Sequence, residues 1–186
     1  MSVYRDAAHC ISRVMSIEIH DGTKKASWQR KYKATFDDEL LDGSISDDLS
    51  PEERLTQDSM TRATLKRALP EIQWQALAGK YSINQDEVRA AAVYLTPRVV
   101  SPAHQLFKTK CVMAWMIPER RNGLPASFYV LHSWDADGTP ERTLRRWRSI
   151  TKAWLDDQVS AAHFAVEALL EERGLLLKEG GLTVTE

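Results

Sequence analysis

The chain has 186 residues, of which 43% are hydrophobic, so it is long enough to bury one sizeable core or two small ones. No stretch approaches about 18 consecutive apolar residues, and the N-terminus lacks a basic and then apolar signal pattern, so we expect a cytoplasmic protein with no membrane partner. The net charge of −1 conceals a basic block: residues 98–155 carry ten basic and four acidic side chains, whereas residues 156–186 carry two and seven.

Residues 3–17 show helical spacing of apolar side chains and predict a first amphipathic helix with Ser2 as its N-cap. Over residues 19–48 the periodicity is lost, which predicts an irregular loop or a short hairpin. Residues 24–33 alternate lysine and arginine with two aromatic rings, and this favours a nucleic-acid-binding strip as a secondary hypothesis. The chain as a whole is predicted to be mainly α, a compact multi-helix protein. Its predicted parts are an N-terminal helix and loop region (1–48), a helical core (49–175) and a tail (176–186).

The middle of the chain predicts four helices. Ser50 and Pro51 have the pattern of a helix start, with a capping hydroxyl before a proline at the first helical position. Pro70 ends that helix and can begin the next one. The apolar second half of the fourth helix predicts a central buried helix. The four predicted helices span residues 51–69, 71–81, 85–95 and 101–117.

After residue 117 the pattern is less regular. Residues 127–132 fit either a short strand or a helix turn, and periodicity does not decide between them. A helix is predicted from Thr139 to about Leu155, and a last helix from roughly Val159 to Arg173. His163 falls on the apolar stripe of that last helix, where we expect a hydrogen-bonded core histidine.

Residues 132–138 hold a histidine and two aspartates. Asp135 and Asp137 match the first half of a calcium loop, but no glutamate follows at the required position and Pro140 interrupts the loop. We therefore interpret Asp137, Gly138 and Thr139 as a turn that caps the following helix. Other enzyme motifs are missing, and Cys10 and Cys111 form no CxxC pair. The sequence predicts no enzyme, cofactor, metal site or small-molecule substrate, and both cysteines are expected to be buried.

The strongest functional pattern lies between Trp74 and Val93. Two short helices that cross steeply need a small side chain at their contact, and Ala78 supplies one. Ser82 occupies the turn position where glycine is commonest, and a positive φ there would cost serine roughly 1 kcal/mol. The pattern resembles a helix-turn-helix over 71–95, and the alternative is an α–α corner without a DNA partner. The apolar residues predicted to face inward are Leu77, Ile83, Val88 and Ala91.

In a helix-turn-helix the exposed start of the second helix enters the major groove. That position is taken here by Asn84, Gln85 and Arg89, of which Gln85 suits adenine and Arg89 suits guanine. Asp86 and Glu87 would repel phosphates at the same place. They are also ordinary residues for a helix start, because carboxylates stabilise the positive end of the helix dipole.

The helix that begins near residue 139 separates its charges from its apolar side chains. At 100° per residue, Leu144, Trp147 and Leu155 share one side, and five cations cover the other. Such a face can lie along phosphates, with an affinity that falls steeply in salt. The alternative is a solvated helix that pairs with the acidic C-terminal segment. The five cations are Arg142, Arg145, Arg146, Arg148 and Lys152.

The order of N-terminal amphipathic helix, helix-turn-helix pattern around residues 77–83 and arginine-rich helix resembles small phage-derived transcription regulators. It is most similar to the phage-type Q antitermination factors, which include AlpA-like transcription regulators. Some Q-type factors hold a zinc module of paired cysteines, which this chain lacks, so the resemblance is to a zinc-free branch. The resemblance implies binding of double-stranded DNA beside a promoter and transfer to RNA polymerase. There the protein would narrow the RNA exit channel and promote terminator read-through.

The resemblance also implies residue roles. Gln85 and Arg89 would contact bases, the face from Arg142 to Lys152 would contact nucleic acid near the exit channel, and the acidic segments would dock on polymerase. The residues leave two other functions open. One is a conventional helix-turn-helix repressor or activator, and the other is a phage-encoded inhibitor that binds a protein.

Overall fold

The computed structural model describes residues 3–17, 50–119, 123–135 and 137–176. These residues are mainly helical, with six α-helices and no β-strand among them. No helix in the described part of the chain is long and apolar enough to cross a bilayer. The predicted loop or hairpin over 19–48 and the basic strip at 24–33 lie outside the described residues.

The helices follow the predicted order along the chain. A 3-10 turn (Thr96–Arg98) extends the fourth helix, and two more (Ala126–Tyr129 and Leu131–Trp134) precede the sixth. These last two turns settle the choice left open over 127–132 in favour of helical turns. The six helices are α1 (Ala7–Met15), α2 (Pro51–Ala68), α3 (Glu71–Tyr81), α4 (Gln85–Leu95), α5 (Gln105–Met116) and α6 (Glu141–Glu172).

The first helix is shorter than predicted and is capped by Asp6 rather than Ser2. The Asp6 carboxylate accepts a hydrogen bond from the His9 N–H at 2.7 Å. Val3 and Tyr4 are not helical, and both donate their backbone N–H groups to the Leu175 carbonyl. Tyr4 also forms an isolated parallel bridge with Leu176. The segment before α1 is therefore tied to the residues just after α6, and residue 176, at which the predicted tail begins, is held in place.

The second helix begins at the predicted residue, and one of its carboxylates accepts hydrogen bonds from α1 and the segment before it. Ser50 and Glu53 form a reciprocal capping box at its start. Further along α2, Asp58 accepts hydrogen bonds from the Tyr4 hydroxyl at 2.7 Å and from the Arg13 guanidinium at 3.0 Å. Burial raises the pKa of the Tyr4 hydroxyl, so it remains a donor to Asp58.

The prediction of two helices after residue 139 was wrong, because α6 is one continuous helix of 32 residues. The polar run from Asp156 to Gln158 suggested a break, but it contains neither glycine nor proline. Leu155 and Val159 flank the run at a spacing of four residues, and both are buried. The apolar stripe therefore continues through the polar run, and burial of that stripe keeps the helix intact.

The hub of the fold is α3, which contacts all five other helices. Its small buried residues allow this close packing, and a Cβ on Gly79 would lie 2.5 Å from Cε of Met116 in α5. The central buried helix is thus α3, not α5 as predicted from its apolar second half. The helix predicted from residue 101 begins at Gln105, where the His104 side chain accepts from the Phe107 N–H.

The buried side chains form two clusters. The larger one joins α1 to α4 with the C-terminal halves of α5 and α6, and it contains Cys10. The smaller one joins α5, the 3-10 turns and the N-terminal half of α6 around Phe107 and Trp134, and it contains Cys111. Both cysteines are buried, as predicted. Because α6 runs through both clusters, its arginine-rich half is rigidly joined to α3 and α4.

Candidate nucleic-acid interface

The turn between α3 and α4 consists of Ser82, Ile83 and Asn84, as the sequence predicts. Ser82 has a φ of −66° and an extended backbone, so the predicted positive φ and its cost to serine do not occur. The Asn84 side chain accepts from the Asp86 N–H at 2.9 Å and caps α4. Ile83, predicted to lie in the core, is 49% exposed because the extended turn directs it away from the buried residues.

A hydrogen-bond network anchors this turn to the rest of the protein. The Ser82 hydroxyl donates to Oε2 of Glu87 at 2.7 Å and accepts from the Asn84 N–H. The other Glu87 oxygen accepts from Arg62 of α2, whose guanidinium also donates to the Val14 carbonyl at the end of α1. The first turn of α4 is thus fixed to α1 and α2 through Glu87.

Sequence reasoning missed this role of Glu87. It treated the carboxylate as a helix-start residue that would repel phosphates, whereas its charge is balanced by Arg62. One local signal was present, because Asn84 and Glu87 stand at the spacing of a capping box. Here Glu87 turns to Ser82 and Arg62 instead of the Asn84 backbone. The partner from α2 has no local signal in the sequence.

One side of α4 is exposed along most of its length. Gln85 and Arg89 lie on this side one turn apart, with Ala90 and Val93 beyond them. Asp86 reaches the Arg89 guanidinium at 3.5 Å, and both side chains are more than three-quarters exposed. A contact that long between exposed groups is weak, so the Arg89 side chain is available to a ligand.

The five cations of α6 are all exposed, whereas Leu144, Thr151 and Leu155 of the same helix are buried. Arg145 is paired with Glu141 one turn before it, at 2.7 Å. The other four have no ion-pair partner among the described residues. Asp156, the first residue of the acidic C-terminal segment, pairs with Lys80 of α3 instead. Within the described residues, the predicted alternative of a helix paired with the acidic segment is therefore not observed.

The turn before α6 has a structural role that differs in detail from the predicted one. Pro140 occupies the N-cap position of α6 without a side-chain hydrogen bond, so Asp137 and Thr139 do not cap that helix. Asp135 closes the turn by accepting from the N–H and hydroxyl of Thr139, and it also contacts Nε2 of His104 at 3.1 Å. The hydrogen bond from the Thr139 backbone holds the pKa of Asp135 below its usual range.

His104, Asp135 and Asp137 bring three potential metal ligands together. The hydrogen bonds of His104 oppose a metal ion, because Nδ1 accepts from the Phe107 N–H and Nε2 must then carry the ring proton. Both oxygens of Asp135 are also occupied by donors. This cluster is better explained as a set of hydrogen bonds that connects α5 to the turn before α6.

Within the described parts of the chain, two exposed surfaces are candidates for contact with nucleic acid. One is the outer side of α4, and the other is the basic face of α6. The helix α5 packs against both α4 and α6, so the same core supports both surfaces. Comparisons of the chain with protein families, with curated proteins and with solved structures find no match.

Proposed function

We propose that the protein binds double-stranded DNA through α3 and α4, with α4 as the recognition helix of a helix-turn-helix. The proposal rests on the exposed side of α4. Gln85 and Arg89 lie on this side, and Glu87 anchors the first turn of the helix. Base reading in the major groove needs such a rigid element, because Gln and Arg form bidentate contacts with adenine and guanine. The side-chain NH2 group of Asn84 has no hydrogen-bond partner among the described residues and suits a phosphate contact.

We assign the phosphate contacts mainly to the basic face of α6. Four of its cations are exposed and have no ion-pair partner among the described residues, so their head groups can reach phosphates: Arg142, Arg146, Arg148 and Lys152. Each phosphate contact releases counterions from DNA, and the affinity then falls as salt rises. Asp86 has the opposite effect at the start of α4, since its exposed carboxylate repels the backbone.

The more specific proposal is that of an antitermination factor that loads from DNA onto RNA polymerase. It rests on the resemblance to Q-type factors, and it is favoured by exposed apolar side chains that DNA reading does not need. Val100 is 69% exposed just after α4, and Leu106 is 49% exposed at the start of α5. Exposed apolar side chains of this kind suit a protein partner. A transcription assay with a terminator downstream of the bound site should show increased read-through.

The first experiment measures binding to a labelled library of genomic DNA fragments at about 50 mM and about 200 mM salt. The wild type should select a sequence, and Arg89→Ala should weaken binding to that sequence by roughly 5- to 150-fold. Arg145→Ala/Arg146→Ala should weaken binding to all fragments and reduce the salt dependence. Arg67→Ala, an exposed arginine of α2, is the matched control and should change neither.

Three other outcomes would redirect the proposal. Binding without sequence selection, unaffected by Arg89→Ala, would remove α4 as the reading helix. A dimer on a palindromic site, with unchanged terminator read-through, would favour a conventional repressor or activator. No binding at either salt concentration, together with capture of one host protein, would favour the inhibitor.

A further inference from the structure

A groove of about 730 Å³ lies between the C-terminal ends of α3 and α5 and the middle of α6. It is open to solvent, and its volume falls within the range of about 300–1,000 Å³ that is typical of ligand sites. Its walls combine aromatic rings with two lysines. The residues that matter here are Lys80, Tyr81, Trp115, Lys152, His163 and Phe164.

The back of the groove is held by hydrogen bonds that fix its rings. Lys80 and the Trp115 indole N–H donate to the same Asp156 oxygen, at 3.1 and 2.9 Å. The Lys80 ammonium lies 5.3 Å from the centre of the Trp115 ring. Burial would raise the pKa of Asp156, but the hydrogen bonds from Trp115 and Lys80 outweigh it and keep the pKa below its usual value. The carboxylate is therefore charged, and Lys80 balances it.

The side wall of the groove is uncharged at neutral pH. The Tyr81 hydroxyl lies 3.3 Å from Nε2 of His163. Burial lowers the pKa of His163, and the nearby Lys80 lowers it further, so the imidazole is neutral at pH 7. The charges of Lys80 and Asp156 cancel, so Lys152 gives the lining of the groove one excess positive charge.

The Phe164 ring lies at the opening of the groove, which adjoins the basic face of α6. Phe164 is 72% exposed. Lys152 follows Arg145 and Arg148 at spacings of seven and four residues, so the three cations form one stripe along α6 that ends in the groove. If the phosphates of a nucleic-acid strand lie along this stripe, the base that follows them reaches the exposed Phe164 ring and the adjoining groove.

We propose that this groove binds single-stranded nucleic acid, with bases stacked on Phe164 and the groove rings and phosphates along Lys152, Arg148 and Arg145. Stacked rings beside a row of cations are the features by which proteins hold unpaired strands. A duplex hides the faces of its bases, so the groove is suited to a single strand. This site goes beyond the proposed reading of duplex DNA and uses no residue of α4.

The test measures fluorescence anisotropy of two labelled single-stranded oligonucleotides of about 12 residues, one of thymidylates and one with the same backbone and no bases. The wild type should bind the strand with bases more tightly. Phe164→Ala should weaken that binding by roughly 5- to 150-fold and leave the abasic strand unchanged. Phe164→Trp should preserve binding, and Leu55→Ala, a control at a 55% exposed apolar residue of α2, should have no effect.

Lys152→Ala should weaken binding of both strands equally and reduce the salt slope by about one. Equal binding of the two strands by the wild type, or no binding of either, would overturn the proposal. Arg89→Ala should leave single-strand binding intact, and Phe164→Ala should leave duplex binding intact. Failure of this site is thereby distinguishable from failure of the duplex-binding proposal.

Discussion

Glu87 is the residue on which the start of α4 depends. It accepts from Ser82 within the turn and from Arg62 of α2, whose side chain is only 9% exposed. A guanidinium at that depth needs a compensating charge, and loss of the partner is costly because the remaining ion stays buried. The same carboxylate therefore sets both the position of α4 and the stability of the contact with α2.

Glu87→Gln should lower the free energy of unfolding by about 2 kcal/mol, because Arg62 loses a charged partner while the shape of the side chain is retained. The matched control is Asp86→Asn, the same change at the preceding, exposed residue, which should stay within about 0.5 kcal/mol. Urea unfolding followed by tryptophan fluorescence measures both variants. Equal effects of the two substitutions would contradict the anchoring role of Glu87.

Individual contacts were less predictable from the sequence than residue positions. Exposure of Gln85, Arg89 and the α6 cations follows from helical periodicity, and the structure places them on outer surfaces as expected. Ile83 was wrongly placed in the core, since the backbone angles of Ser82 decide its direction. The Arg62 contact could not be predicted, because the two side chains are 25 residues apart in sequence and meet only in the folded protein.

The elements themselves show which sequence signals are decisive. The bounds of α3 and α4 follow from Pro70 and from the cap at Asn84, which are local signals that packing does not override. At residues 156–158 no such signal exists, and a drop in apolar content was mistaken for a break. Continuity of α6 was decided by burial of Leu155 and Val159 against other helices, which periodicity alone does not reveal.

Asp157→Pro tests whether α6 is one helix. Proline at 157 removes the N–H that bonds to the Ala153 carbonyl and clashes with that turn, so the free energy of unfolding should fall by about 3 kcal/mol or more. Asp157→Ala is the control, and because Asp157 is exposed it should have an effect below about 0.5 kcal/mol. A proline tolerated as well as the alanine would indicate two helices that meet there, since proline suits the first position of a helix.

At the scale of the whole molecule, partly buried titratable groups set how stability responds to acid. Burial lowers the pKa of His9 and of His163 in the folded protein, below the ordinary value of 6.5. The pKa values of Asp6, Asp135 and Asp156 lie below their ordinary value of 3.8. The histidines act below about pH 6.5 and the aspartates below about pH 3.8, and both sets lower the free energy of unfolding as the pH falls.

The unfolding free energy should therefore fall in two steps as the pH is lowered. Below about 6.5 the unfolded chain binds protons at both histidines before the folded protein does, which favours unfolding by at most about 1.4 kcal/mol per pH unit for each histidine. Stability from the three aspartates is present above pH 3.8 and is lost as the pH falls through their lower folded values. Urea unfolding between pH 8 and 3 would measure both steps, at intervals of about half a unit.

His163→Gln should reduce the first step and leave the second unchanged, because glutamine can still accept from Tyr81 but does not titrate. His132→Gln is the matched control, since His132 is exposed and outside both buried clusters. If both substitutions flatten the curve equally, the acid sensitivity does not come from the partly buried His163 imidazole. If only His163→Gln does so, the neutral ring between α3 and α6 supplies part of the first step, and the remainder belongs to His9, whose pKa is also lowered.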